Sequence, residues 1–273
     1  MTDARLVGVV HLPPLPGSPR ARASVREIAA GAAEEARILE AAGFNWVIVE
    51  NFGDAPFLKG RVDAVTVSAV TACALAVREA APKLRLGINV LRNDADAALS
   101  IAHVVGAGCI RVNVHIGARI TDQGVIEGDA SAILRKRRAL GADLSLDAEA
   151  SGVEIWADVD VKHSAPLGVR PLAQEAHDLV VRGMADAVLV TGEGTGRPVD
   201  LDRLGVVKRA ASVPVLVASG AGEESLPTLA SLCDGVIVGS ALRRDGVAGG
   251  PVDRVRSQAF AIAFRRAFEP RRG

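Results

Sequence analysis

Short apolar runs alternate with longer amphipathic stretches from one end of the chain to the other. The runs are LVGVVHL (6–12), WVIVEN (46–51), LRLGINVL (84–91), CIRVNVH (109–115), EIWADVDVKH (154–163), AVLVTG (187–192), PVLVASG (214–220) and GVIVGSAL (235–242). Each is of strand length and rich in Val and Ile. Helical periodicity fills the intervals at 24–42, 62–80, 94–105, 129–140, 171–182, 200–211, 223–231 and 251–267. Ser24, Asp94, Asp129 and Asp200 stand at helix starts as caps, and Gly43 stands where the first helix must stop. Strict strand–helix alternation predicts a parallel sheet. Eight such units within about 250 residues predict a single (β/α)8 TIM barrel over residues 1–273, in preference to an open doubly wound sheet.

Polar residues fall on one face of several strands. In the fifth run Ile155, Ala157, Val159 and Val161 alternate with Glu154, Trp156, Asp158, Asp160 and Lys162. A barrel strand turns one face to the helices and the other to the lumen, so the second set is expected inside. The same alternation puts Arg111, Asn113 and His115 inward from run four, Arg85, Gly87 and Asn89 from run three, and Trp46, Ile48 and Glu50 from run two. Buried charges need partners, and Arg85 and Arg111, low in the barrel, are expected to answer Glu154 or Asp158. At the C-terminal strand ends, where barrel enzymes keep their sites, the polar groups point to function.

Those ends divide into two kinds. Glu50, Asp158 and Asp160, with Lys162 close enough to tune them, are the candidate catalytic groups: paired carboxylates suit acid–base work or stabilisation of an oxocarbenium-like sugar. A Schiff base at Lys162 is the less favoured use, because the acids nearby keep the amine protonated. His11, Asn89, Asn113, His115, Asp122, Thr191 and Gly192 are candidate substrate contacts. The later strands end in glycine-rich turns, TGEGTGR (191–197), ASGAG (218–222) and VGSAL (238–242), and Arg197, Ser219, Gly220, Gly239 and Ser240 are candidate phosphate ligands. No H-x-H or H-E-x-x-H pair is present, so no metal ligands are assigned. No cofactor is required by this reading, and a divalent cation such as Mg, bridging acids to phosphate, is the one the donor set would accept. The segments 52–61 and 116–129 are long enough to act as lids, and the prolines of 10–20 stiffen a rim or subunit contact.

Composition narrows the partners. Thirty-two basic and 32 acidic side chains cancel, tyrosine is absent and aromatics make up 3%, which argues against nucleic acid. Three scattered cysteines, Cys73, Cys109 and Cys233, read as free thiols in a reducing cytoplasm. No apolar stretch approaches a membrane span. The expected protein is cytoplasmic, not inserted in membranes, and homo-oligomeric.

VHLPPLPGSPR (10–20), VENFGDAPF (49–57), GINVLRNDADAAL (87–99), IRVNVHIGARITDQGVIEG (110–128), ADVDVKHSAPL (157–167), LVTGEGTG (189–196) and DGVIVGSALRRDG (234–246) together resemble the BtpA family, which includes the SgcQ proteins. The resemblance covers almost the whole chain and implies a barrel near the phosphate-binding class. The family is named for a role in photosystem I accumulation, some members are labelled nucleoside triphosphatases, and some relatives are linked to nucleoside ribosyl transfer. It carries over no catalytic residues. This chain departs from the family at Asp160, where His is common, and in a longer segment at 143–153. The expected function is N-glycosidic chemistry, by transfer or hydrolysis, on a ribosyl, phosphoribosyl or nucleoside-type small molecule. The alternatives are a metal-dependent nucleotide phosphohydrolase and a non-catalytic photosystem I biogenesis factor of the BtpA type.

Overall fold

The computed structural model describes residues 4–144, 152–192 and 198–268. Eight parallel strands close a barrel in the order β1 (Arg5–His11), β2 (Trp46–Glu50), β3 (Arg85–Asn89), β4 (Cys109–Val112), β7 (Glu154–Val159), β9 (Ala187–Val190), β10 (Val215–Val217) and β11 (Gly235–Val238), which pairs back with β1. Helices α1 (Val25–Ala42), α2 (Ala64–Ala80), α3 (Ala95–Val105), α4 (Ala130–Ala139), α5 (Leu172–Val181), α6 (Leu201–Ala210), α7 (Leu226–Leu229) and α8 (Arg254–Phe268) follow the barrel strands in turn. The helix signals act as expected. Ser24 and Glu27 form a reciprocal capping box at the start of α1, and Gly43 closes it in the left-handed conformation. Asp94, Asp129 and Asp200 each accept a first-turn N–H.

The strands end before their apolar runs do, and at β4 and β7 this matters for the site. β4 stops at Val112 and β7 at Val159. Asp160 (φ 49°) and His163 (φ 58°) adopt left-handed backbone, which turns the chain and ends the inward–outward alternation. The segment expected as a lid, 116–129, folds into a hairpin of β5 (Ala118–Thr121) and β6 (Gly124–Glu127), and β5 also pairs with β8 (Ser164–Pro166). This antiparallel sheet sits beyond the ends of β4 and β7 and is pinned by a small apolar cluster of Ile126, Val114 and Val161.

The lumen is layered. At its base Arg5 and Trp156 Nε1 both bond Glu154, at 2.7 and 2.6 Å, and Arg85 lies 4.0 Å from the same carboxylate while stacking on Trp46 at 4.1 Å. The middle is apolar: Val7, Val9, Trp46, Ile48, Cys109, Trp156, Leu189, Leu216 and Ile237 form one cluster. Gly87 makes room there, since a Cβ would lie 2.6 Å from Cys109 Sγ. Above it, Arg111 grips Asp158 with two bonds of 3.0 Å, and Asn113 donates a third at 2.7 Å. The pairings expected of Arg85 and Arg111 are therefore present.

The Asp158 side chain is fully buried and that of Arg111 nearly so. Removing one partner of such a pair leaves an uncompensated charge and costs about 3–5 kcal/mol. Arg111→Met is expected to lower the melting temperature by roughly 10 °C, and adding Asp158→Asn to recover most of the loss. Thermal unfolding of the two variants checks this; an unchanged Arg111→Met would show that the pair does not hold the barrel.

Candidate active site

Strand register builds the mouth. His11 pairs with Glu50, Glu50 with Asn89, and Asn89 with Arg111, so four strands contribute one row of polar residues at a single level. His11, Glu50, Phe52, Arg111 and Lys162 face Ser219, Gly220, Ala221, Gly239 and Ser240 across one narrow cleft of about 50 Å³. The two halves that the sequence distinguished, reacting groups and glycine-rich turns, thus meet. Asn89 Nδ2 donates to Glu50 Oε2 at 2.6 Å, fixing a carboxylate that is only 6% exposed.

His11 is held in one tautomer. Its Nδ1 lies 3.3 Å from Arg243 Nη2 and 3.2 Å from the Gly249 N–H, both donors, so its proton sits on Nε2, 3.8 Å from Glu50 Oε1. Burial, then the cations Arg243, Lys162 and Arg111, lower its pKa to about 3, so the ring is neutral. Phe52 packs on it with centroids 4.4 Å apart, and a Cβ on Gly239 would lie 2.9 Å from its Cε1. Arg243, 1% exposed, is itself fixed by Glu35 at 2.7 Å and by the Gly250 and Val9 carbonyls at 2.8 and 2.6 Å.

Lys162 is placed through its backbone: its N–H donates to Thr191 Oγ1 at 3.1 Å, and its carbonyl accepts from Arg92 at 2.9 Å. Burial, with Arg111 next, depresses its pKa below the ordinary lysine value, against the pull of Glu50 and Asp158. The arrangement offers a fixed carboxylate, a neutral imidazole N–H donor and an amine whose pKa burial lowers, all beside glycine backbone.

Four expected site residues lie elsewhere. Asp158 has both oxygens engaged by Arg111 and Asn113 and acts as their anchor, which leaves no oxygen for the acid–base role expected of it. Asp160, turned by its left-handed backbone, pairs with Arg119 and Arg203 rather than facing Glu50. His115, expected in the lumen, faces away and bonds the Gly183 carbonyl at 2.8 Å after α5, because the chain has left strand geometry by then. Asp122 is exposed at the tip of the β5–β6 hairpin, bonded to Gln123. Arg197 lies outside the described residues. Gly192 is buried at the end of β9.

The long motifs prove to be ties between loops. Asn51 donates to Asp54 and clamps the backbone of Leu91, and Asp54 accepts the Leu15 N–H at 2.7 Å. Asn93 bonds both the N–H and the carbonyl around Val114, and Asp94 accepts from Val62 and Ala97. The 52–61 loop, expected as a lid, is anchored by these bonds and by the Arg92 N–H to Leu58. Sequence reasoning missed Arg243, Glu35, Phe52 and Arg92; all but Glu35 lie inside the motifs VENFGDAPF, NVLRND and GSALRRDG, which was the available signal. Among the described residues no group of three or more His, Cys, Asp or Glu side chains is placed to hold a metal ion, and no helix is long and apolar enough to cross a membrane.

A closed eight-stranded barrel with a polar C-terminal mouth is the architecture of many phosphometabolite enzymes. It superposes on thiamine phosphate pyrophosphorylase from Pyrococcus furiosus with a TM-score of 0.57 at 13% identity, covering 97% of this chain and 96% of that one. A 3-hexulose-6-phosphate synthase also gives 0.57, at 18% identity over 96% and 99%. At such identities the likeness shows the fold. The chain belongs to the BtpA family, whose model matches residues 2–266. It is 44% identical over 266 residues to the photosystem I biogenesis protein BtpA of Synechocystis sp., spanning 96% of this chain and 88% of that protein. An uncharacterized protein of Thermococcus kodakarensis is 45% identical over 241 residues, 88% of this chain and 87% of the relative.

The His11 geometry has a consequence for stability. Below its ordinary pKa of 6.5 the unfolded chain takes up a proton at residue 11 that the folded chain refuses until about pH 3. The native state therefore loses stability as pH falls through that window, on the order of 3 kcal/mol by about pH 4. His11→Gln is expected to show a shallower fall in melting temperature than wild type between neutral and mildly acid pH. Parallel curves would show that residue 11 is protonated in the folded protein.

Proposed function

We propose that this protein is an enzyme acting on a phosphorylated ribosyl or nucleoside-type small molecule, and that it makes or breaks an N-glycosidic bond. The observation that carries the reading is the single cleft in which Glu50, His11 and Lys162 face the glycine turns of 219–221 and 239–240. The phosphoryl group would sit on the backbone of those turns, near Lys162 and Arg111, and a cleft of about 50 Å³ suits such a group. Glu50, held by Asn89, would stabilise positive charge developing at the anomeric carbon. As the C–N bond breaks, its electron pair goes to the departing base and Lys162 supplies that base's proton, while water, or an incoming second base, adds its lone pair to the anomeric carbon and returns a proton to the Lys162 amine. His11 would donate from Nε2 to a sugar or phosphoryl oxygen. Fold neighbours named for phosphorylated substrates support a phosphate site in this class of barrel.

The name of the Synechocystis relative favours a second reading, an assembly factor built on the same barrel. It requires no ligand at the mouth. A thermal-shift panel of nucleosides, nucleotides and phosphosugars, with and without magnesium, separates the two. Under the enzyme reading a ribosyl phosphate raises the melting temperature, by about 2.7 kcal/mol of stabilisation at a hundredfold excess over Kd. Dependence of that shift on magnesium would instead favour phosphohydrolysis. Glu50→Gln is expected to keep the fold and the phosphosugar shift while lowering turnover by on the order of 10³-fold. Wild-type turnover in that variant would remove Glu50 from the reaction, and a panel with no shift would favour the assembly reading.

A further inference from the structure

Five arginines are buried among the described residues, and four of them are paired with carboxylates. Arg111 bonds Asp158 at 3.0 Å, Arg137 bonds Asp186 at 2.6 Å, Arg243 bonds Glu35 at 2.7 Å, and Arg119 is held by Asp160 and Glu175. The fifth, Arg92, is 7% exposed and has no carboxylate within ion-pairing distance among the described residues. The carboxylates whose charge reaches it are engaged elsewhere: Asp158 with Arg111 and Asn113, Glu50 with Asn89, and Asp122 with Gln123. A guanidinium stays charged even where burial, as here, lowers its pKa. A buried cation without a counter-ion is costly.

The fold holds Arg92 over the mouth. It follows Asn89, the β3 member of the polar row, by way of Val90 and Leu91. Its backbone N–H bonds the Leu58 carbonyl at 3.1 Å, and the next residue, Asn93, clamps Val114 just past β4. From there the side chain crosses the end of β4, and Nη2 donates at 2.9 Å to the carbonyl of Lys162, a residue that lines the narrow cleft. Nε and Nη1 meet no acceptor among the described residues, yet neither is sealed from solvent, so both remain open to a ligand. The glycine turn of 219–221 follows β10, which stands four strands from β3 in either direction around the barrel. Arg92 and that turn thus come from opposite sides of one mouth.

A neutral donor such as glutamine could make the Lys162 bond without burying a charge, so the tie alone does not account for an arginine. We infer that Arg92 binds an anionic group of the ligand, a carboxylate or a phosphoryl group. The substrate then carries negative charge at two places, one on the glycine turns and one on Arg92. A planar guanidinium suits the oxygen pair of either group. The inference rests on the proposed function in one respect: Lys162 protonates the departing group there, and Arg92 adjoins Lys162, which assigns the second anion to that group.

Titration calorimetry on the full chain tests it with two matched pairs. Nicotinate and nicotinamide mononucleotides differ by a carboxylate against a carboxamide; 5-phosphoribosyl 1-pyrophosphate and ribose 5-phosphate differ by the pyrophosphoryl group. In at least one pair the more anionic member is expected to bind at least about tenfold tighter. Arg92→Gln, which keeps a donor for the Lys162 carbonyl but no charge, should abolish that preference. Arg92→Lys, which keeps the charge, should bind the anionic member more tightly than Arg92→Gln does. Ribose 5-phosphate affinity should be unchanged in both, and thermal unfolding certifies their folds; Arg92→Met takes the place of Arg92→Gln should that variant not fold. Equal binding within both pairs, a preference that survives loss of the charge, or Arg92→Lys no better than Arg92→Gln would each overturn the inference. Ribose 5-phosphate bound under any of those outcomes leaves the proposed function standing without it. A preference erased by Arg92→Gln, with no ribose 5-phosphate binding and no cleavage of either mononucleotide, would keep the anion site and remove the proposed function.

Discussion

The ion pair of Arg111 and Asp158 is the constraint from which the upper half of this barrel follows. Two charges taken out of water survive only when geometry and further hydrogen bonds compensate them. Here the guanidinium makes two bonds of 3.0 Å and Asn113 a third at 2.7 Å. The pair also sets the field around it. Burial does most to push the pKa of both His11 and Lys162 down and Arg111 adds to it in each, while Asp158 pulls that of Lys162 the other way. One interaction thus joins β4 to β7 inside the lumen and adds to the field on the titrating groups of the mouth.

Around that centre the loops are fastened to one another by short side chains reaching backbone. Asn51 holds Leu91, Asp54 holds Leu15, Asn93 holds Val114 and Asp94 holds Val62. Each bond joins the loop after one strand to the loop after a neighbour, so the C-terminal face forms a connected rim. Rigid support of this kind keeps a reacting constellation within the tolerances that catalysis demands. It also explains why the loops at 52–61 and 116–129, long enough to be lids, are docked: their backbones are bonded to neighbours, and Ile126 packs on Val114 and Val161.

The barrel was legible because period-two apolar runs alternating with period-3.6 segments admit few architectures. The inward set from β2, β3, β4 and β7 followed from alternation alone and holds from Glu50 and Asn89 to Arg111 and Asp158. Alternation fails where strand geometry fails. Asp160 and His163 sit in left-handed backbone, which no hydropathy pattern announces, so Asp160 turns to Arg119 and Arg203. His115 lies past the true end of β4 and reaches α5 for the same reason. The contact of Arg243 with Glu35 was invisible for another: it spans 208 positions and serves His11 from outside the lumen, and neither residue lies on a strand. The occupancy of Asp158 illustrates a third limit, since a carboxylate beside an arginine reads the same in sequence whether it anchors or reacts.

Stability does not account for the mouth. A lumen filled with Val, Ile and Leu packs well, and replacing a buried ion pair by apolar residues is often neutral or stabilising. Yet the row His11, Glu50, Asn89, Arg111 crosses four strands at one level. Its groups are not simply paired off: His11 Nε2 stays 3.8 Å from Glu50, beyond a hydrogen bond, and faces open space shared with Lys162. Arg243, nearly inaccessible itself, uses its donors to orient His11. Orienting a neutral imidazole has no structural return when the proton it presents reaches no partner within hydrogen-bond distance among the described residues. That expense is coherent if a ligand completes the contact, as the proposed function requires.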